Sequence, residues 1–292
     1  PARATESRLA ALIDELAHPG ETSDRLAAAM RHALLGGGKR FRPFLVLESA
    51  ALFGLPREAA LDTACALECI HCYSLAHDDL PAMDNDILRR GQPTVWRAYD
   101  EWSAVLAGDA LASLAFEILA REPTHSDPCI RAMLVLELAR ASGAVGMVGG
   151  QSLDLEAEKL PDNPVQTLHS IRRLQSMKTG ALIRFACAAG AMLAGASPVD
   201  RQRLIDFGDT LGFAFQIADD LLDIDGTQEE VGKAVAKDAD AGKATLVSLM
   251  GVEAAREKLA QLEREAIELM AHYGERGASL AAAASFVVNR RS

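Results

Sequence analysis

Apolar residues recur along most of this chain at the spacing of one helix face. Leu9, Leu12, Ile13 and Leu16 stand at i, i+3, i+4 and i+7, and Leu204, Phe207, Gly208 and Leu211 repeat the pattern late in the chain. Sustained two-residue alternation is absent, so the pattern predicts an all-α fold. Three capping residues followed by proline, Asp127-Pro128, Asn163-Pro164 and Ser197-Pro198, mark helix starts, because proline suits a first turn whose amide has no helical partner. These marks divide the second half into helices of about fifteen to twenty-five residues. The most apolar stretch, Gly180 to Val199, contains Arg184 and is stopped by Pro198, which suits a buried core helix better than a membrane span.

Two segments break the pattern. Gly36-Gly37-Gly38-Lys39-Arg40-Phe41-Arg42-Pro43 is a glycine turn carrying three cations, and Asp225 to Thr245 is polar with little periodicity. No fixed repeat or shift of composition marks a boundary, so residues 1–292 are read as a single helical domain.

Composition narrows the function. Apolar residues make up 49% and charged residues 24%, enough for a large core and unlike a disordered chain. The net charge of −11 argues against nucleic acid, which calls for a basic stripe. An acidic protein that handles an anionic substrate needs metal ions and local cations to reverse the field at its site. Pro1-Ala2-Arg3-Ala4 shows no apolar leader and the last residues no lipidation box, so the expectation is a cytoplasmic protein without a membrane anchor. Five cysteines, Cys65, Cys69, Cys72, Cys129 and Cys187, are an odd number and do not suggest a disulfide framework.

Two aspartate clusters carry the candidate chemistry. In Asp219-Asp220-Leu221-Leu222-Asp223 the outer carboxylates are four residues apart, a net rotation of about 40°, so both project from one helix face. In Asp78-Asp79-Leu80-Pro81-Ala82-Met83-Asp84 an unbroken helix would turn Asp84 about 240° from Asp78, but Pro81 permits a distorted turn that brings it back. Either cluster alone reads equally well as a solvated acidic face. Two clusters, each following apolar sequence, favour a hard divalent cation, and Mg²⁺ fits because it takes one or two carboxylates plus waters and substrate phosphates. Arg89 and Arg90 follow the first cluster, Lys233 follows the second, and Lys39, Arg40 and Arg42 sit on the glycine turn, the cations a diphosphate would need.

Two other motifs compete. Cys65, Cys69 and Cys72 have the CxxxCxxC spacing of radical iron–sulfur enzymes, but they fall within helical periodicity and read as small buried residues. Glu68 and His71 form an ExxH, yet a di-iron bundle needs a second one, and Glu268 to His272 has the wrong spacing.

The chain resembles the trans-isoprenyl diphosphate synthases, most of all the bacterial farnesyl diphosphate synthases. The resemblance runs through GGGKRFRP, HCYSLAHDDLPAMDNDILRRGQPT, LAGDAL, MKTGAL, FQIADDLLDI, GKAVAKDADAGKAT and FVVNRR, in that order. It implies about ten or more helices around a central cavity, a homodimer, and Mg²⁺, three ions with substrate bound. Asp78, Asp79, Asp84, Asp219 and Asp223 would bind the metal. Arg89 and Lys233 would grip the diphosphate of the allylic substrate, dimethylallyl or geranyl diphosphate. Lys39, Arg42, His71 and Arg90 would hold isopentenyl diphosphate, with Lys237 and Lys243 helping to close the site. Lys178, Thr179 and Gln216 would stabilise the allylic cation, and the released diphosphate would take the final proton. Tyr73 and Ser74, five and four residues before Asp78, lie about 6–7.5 Å along the helix from it, where a growing chain would meet them. An aromatic residue there accompanies fifteen-carbon products in the family. The rival readings are a geranylgeranyl or longer-chain synthase of the same fold, and a non-catalytic regulatory subunit, which would have lost one aspartate motif.

Overall fold

The computed structural model describes residues 1–17, 22–160, 167–225 and 245–290, and Asp225 only in its backbone. Helices dominate: α1 (Ala2–Leu16), α2 (Asp24–Leu35), α3 (Phe41–Leu52), α4 (Leu61–Asp78), α5 (Val95–Ala98), α6 (Glu101–Ala120) and α7 (Pro128–Ser142) fill the first half. The second half holds α8 (Met147–Lys159), α9 (Leu168–Gln175), α10 (Ala181–Leu193), α11 (Pro198–Asp225), α12 (Leu246–Met250), α13 (Val252–Ala271) and α14 (Ala278–Val288).

The periodic apolar residues do what their spacing predicts. Leu9, Leu12 and Ile13 bury one face of α1, and Leu204, Phe207 and Leu211 that of α11. The helix α4 is instead buried around most of its circumference, from Thr63 through Cys72 apart from His71, and runs through the middle of the fold. Small residues let its neighbours come close. A Cβ on Gly108 of α6 would stand 2.1 Å from the His77 ring, and one on Gly190 of α10 would stand 2.4 Å from the backbone nitrogen of Ala50 in α3. Within the apolar stretch Gly180 to Val199, Ala181–Leu193 forms the core helix α10, buried over nearly its whole length, with Arg184 paired to Asp209 at 2.9 Å.

Two of the three proline starts fall where expected. Asp127 accepts a hydrogen bond from the Cys129 amide at 2.8 Å before α7, and Ser197 accepts one from the Asp200 amide at 3.1 Å in the first turn of α11. Asn163-Pro164 lies outside the described residues.

One expectation needs correction. The helices of the second half are more uneven than predicted, from 5 residues in α12 and 8 in α9 to 28 in α11, because Gly143 and Gly146 separate α7 from α8 and a π-helical turn separates α9 from α10. A small hairpin also exists: Leu88–Arg89 pairs antiparallel with Gln92–Pro93. Its turn residues Arg90 and Gly91 have φ of 54° and 75°, as tight hairpin turns require. Strands of two residues are too short to leave an alternating signal.

Candidate active site

The helix α4 orders the site. His71 and Asp78 lie seven residues apart on it, hence on one face and about 10 Å apart along the axis. One end meets the glycine turn and the other becomes the first aspartate cluster.

At the glycine turn, Gly37, Gly38 and Arg40 all have positive φ, and the backbone there receives the guanidinium of Arg90, which donates to the Gly37 carbonyl. Any side chain at Gly38 would occupy the place of that guanidinium. The Arg42 guanidinium lies 3.4 Å from His71 Nε2. Burial, followed by the charges of Arg42, Arg90, Arg89 and Arg40, pushes the His71 imidazole well below its ordinary value, so it stays neutral at physiological pH. Arg42 Nε is buried without a hydrogen-bond partner among the described residues, and burial also pulls that guanidinium down. Positive charge held this close is costly until an anion arrives. Lys39 stands over the Phe286 ring, 5.7 Å from its centre. Arg40, the third cation of the turn, points inward to Glu68 at 2.8 Å and the Leu34 carbonyl at 2.6 Å, so it braces the core.

At the other end, α4 stops at Asp78 and the chain folds back. The Asp84 amide donates to the Asp78 carbonyl at 2.9 Å, and those of Met83 and Asn85 donate to Leu80. This is the distorted turn anticipated from Pro81. Burial, with Asp84 and Asp79 close by and only partly offset by Lys178, pushes the Asp78 carboxyl up to about 7. Asp79 is 2% exposed and held in a fork by Arg89 at 2.6–3.0 Å. Burial pushes this carboxyl up while Arg89 pulls it down. The structure therefore pairs the expected metal ligand Asp79 with the expected diphosphate cation Arg89. Tyr73, one turn before Asp78, is partly buried and packs edge-on to His77 at 5.7 Å, and Ser74 donates to the His71 carbonyl at 2.8 Å.

Across the fold, Lys178 and Thr179 lie in the π-helical turn Ser176–Gly180, a distortion common at functional sites. Lys178 Nζ reaches Asp154 of α8 at 2.5 Å. Gln216 helps line a cavity of about 220 Å³ between that turn and α11, together with Ser176, Gly212 and Phe213. The second aspartate cluster closes α11. Asp219 meets Arg290 at 2.6 Å, whose guanidinium lies 3.8 Å above the Phe215 ring and donates to the Phe215 carbonyl. Asp220 turns the other way and accepts the Leu246 amide at 2.9 Å, anchoring α12. Lys233, Lys237 and Lys243 lie outside the described residues.

Among the described residues no three carboxylate, imidazole or thiol groups form a ready-made metal cage. Mg²⁺ does not need one, since waters and substrate oxygens complete its shell. The crowded carboxylates of Asp78 and Asp84, with Asp219 and Asp223 on α11, fit that hard-oxygen chemistry. The thiols of the CxxxCxxC stretch do not suit a cluster: Cys65, Cys69 and Cys72 are buried in α4, and burial pushes all three up.

Sequence reasoning missed Gln151 and Asp154. Gln151 is 8% exposed, and neither atom of its amide has a partner among the described residues, which leaves a donor and an acceptor for water or a ligand. The readable signal was Gly149-Gly150, a glycine pair inside a helical pattern. A Cβ on Gly150 would stand 2.2 Å from the Lys178 backbone nitrogen, so the glycine seats α8 against the lysine turn.

The family model described as polyprenyl synthetase matches residues 23–280. The chain is 44% identical over 264 residues to a geranylgeranyl diphosphate synthase of Cyanophora paradoxa, covering 90% of this chain and 87% of that one. It is 41% identical over 259 residues to a farnesyl diphosphate synthase of Geobacillus stearothermophilus, covering 88% and 84%. The solved structure of an FPP/GFPP synthase from Zymomonas mobilis superimposes with a TM-score of 0.87 at 46% identity, over 98% of this chain and 96% of that one.

Proposed function

The chain belongs to the polyprenyl synthetase family, and from that premise we propose that it condenses isopentenyl diphosphate with dimethylallyl and then geranyl diphosphate to give farnesyl diphosphate. It is a prenyltransferase with an all-helical isoprenoid synthase fold. The observation that carries the substrate reading is the pairing, on one face of α4, of a neutral His71 beside Arg42 and Arg90 with the acidic turn at Asp78 and Asp84. One end suits a diphosphate bound directly by cations, and the other suits a diphosphate bound through metal.

Asp78, Asp84, Asp219 and Asp223 would hold Mg²⁺, which when bound neutralises charge on the departing diphosphate. Arg42, Arg90, His71 and Lys39 hold isopentenyl diphosphate in line with the allylic carbon, so that its double bond attacks as the carbon–oxygen bond breaks. Arg89 and Lys233 are assigned to the allylic diphosphate, and Arg89 reaches it as a charge fixed by Asp79. Thr179, Gln216 and the backbone of Lys178 present oxygen dipoles to the allylic cation, a role that favours the transition state over the ground state. Asp154 keeps the Lys178 ammonium in place. The continuous core supports reading the chain as a single domain.

A second reading has its own support: a relative at 44% identity is a geranylgeranyl diphosphate synthase. Tyr73 favours the shorter product, because it stands one turn from Asp78 on the path of a growing chain. Chromatography of products from dimethylallyl and isopentenyl diphosphate with Mg²⁺ decides between them. Farnesyl diphosphate as the end product is expected, and accumulation of geranylgeranyl diphosphate overturns it. We also assign a homodimer, supported by the apolar outer faces of α6 and α8, where Trp102, Leu106 and Val148 are exposed. By length and composition the stretches Glu101–Ala120 and Pro128–Lys159 are apolar enough to cross a bilayer, but half of the first is buried inside the protein, as befits a core helix. A cytoplasmic location fits that reading.

A further inference from the structure

The turn that carries Asp84 is held by a side chain from a distant helix. Lys159, in the last turn of α8, points its ammonium at the first aspartate cluster and donates to the carbonyls of Ala82 at 3.0 Å and Met83 at 2.8 Å. The backbone bonds inside the turn run from the Met83, Asp84 and Asn85 amides to Leu80 and Asp78. Among the described residues no backbone amide donates to the Ala82 or Met83 carbonyl, so Lys159 satisfies two acceptors immediately before Asp84. The same helix carries Asp154, about 7.5 Å earlier along its axis, which grips Lys178. The helix α8 thus spans from the metal-binding turn to the π-helical turn.

We propose that Lys159 is a positioning residue for the metal site: it fixes the Ala82–Asp84 turn in the shape that sets the Asp84 carboxylate beside Asp78. The inference rests on the assignment of Asp78 and Asp84 as metal ligands. Two physical effects of this ammonium oppose each other. As a positive charge near carboxylates it repels a divalent cation, so its removal would tighten Mg²⁺. As an anchor of the turn it preorganises two ligands, so its removal would weaken Mg²⁺. Because Lys159 is exposed, solvent screens the first effect, whereas the two hydrogen bonds act through local geometry. The second effect therefore dominates, and the sign of the change identifies the role.

The test is a calorimetric titration of the full chain with Mg²⁺ in the presence of inorganic pyrophosphate, for wild type, Lys159→Met and Lys159→Arg. Lys159→Met keeps the stem and removes the donors, and it should need about tenfold more Mg²⁺, the low end for groups that orient metal ligands. Lys159→Arg, which restores cation and donors, should return to within about threefold of wild type. The melting temperature without metal should stay within about 2 °C for both variants. A Lys159→Met protein that binds Mg²⁺ as tightly as wild type, or more tightly, overturns the proposal. So does an equal loss in both variants that accompanies a lower melting temperature, because that is a folding role. A wild-type protein that shows no Mg²⁺-dependent binding refutes the metal assignment itself, an outcome distinct from failure at Lys159 alone.

Discussion

Individual side chains in this site are assigned work by their neighbours. Arg40 and Arg42 stand two residues apart on the glycine turn, yet Arg40 is taken up by Glu68 in the core while Arg42 gathers with Arg90 near His71. No periodicity distinguishes Arg40 from Arg42: Arg40, with its left-handed φ of 50°, meets α4 at Glu68, and Arg42 meets it one turn later near His71. The aspartates show the same division. Asp79 and Asp220, each the second of a pair, spend their carboxylates on Arg89 and on the Leu246 amide. Asp78 stands in the turn beside Asp84, and Asp219 meets Arg290 at 2.6 Å. Tyr73 has the sharpest functional consequence at this scale. Replacing it by alanine removes a ring from one turn before Asp78 and should shift the main product from farnesyl to geranylgeranyl diphosphate or longer. Chromatography of the Tyr73→Ala products checks this, and an unchanged farnesyl end product places the floor elsewhere.

At the scale of elements, the close seating of helices sets both stability and chemistry. Gly150 permits α8 to lie against the backbone of Lys178, where a Cβ would come within 2.2 Å of a main-chain nitrogen. Backbone cannot give way as a flexible side-chain tip can, so Gly150→Ala should cost about 1–3 kcal/mol and lower the melting temperature by roughly 2–10 °C. It should lower kcat as well, since the displaced turn carries Lys178 and Thr179; a variant with wild-type melting and kcat would contradict the contact. The short turn before α4 is fixed differently. Arg57 donates two bonds of 2.7 Å to Glu48 of α3, and the bond to Arg57 holds the Glu48 carboxyl below its ordinary value of 4.5. A carboxyl depressed in the folded state stabilises above its unfolded value and loses that contribution as pH falls through the folded one. Glu48→Gln should therefore be less stable than wild type at pH 7, by about 1 kcal/mol given the exposed arginine. The gap should close as pH falls below 4.5, and thermal denaturation at both pH values measures it. A gap that persists unchanged in acid would assign the loss to packing.

At the scale of the whole molecule, the helical architecture is legible because a 3.6-residue repeat needs no tertiary information: α1 and α11 follow from their apolar spacing, α10 from its apolar run, and the starts of α7 and α11 from their prolines. The aspartate clusters are legible for the same reason, as local spacing on a helix and a proline-broken turn. What is hidden depends on chain segments distant in sequence. The π-helical turn under Lys178 exists where α8 and α11 press on it, Asp154 and Lys159 act on residues far away in the chain, and the two-residue strands around Arg90 leave no alternation. The assembly is also set at this scale. The exposed apolar residues of α6, Trp102 and Leu106 among them, suit a second copy, so Leu106→Glu should convert a homodimer into a monomer in analytical ultracentrifugation. A wild-type protein that sediments as a monomer contradicts the dimer.

The central claim is that this fold joins isopentenyl diphosphate to an allylic diphosphate with metal held at Asp78. Incubation with radiolabelled isopentenyl diphosphate, geranyl diphosphate and Mg²⁺ tests it most directly, with Asp78→Asn and a chelated sample alongside. Labelled farnesyl diphosphate is expected from wild type, none with chelator, and a loss on the order of 10³-fold or more in a folded Asp78→Asn protein. Failure of the wild type to incorporate label, or full activity of Asp78→Asn, would contradict it.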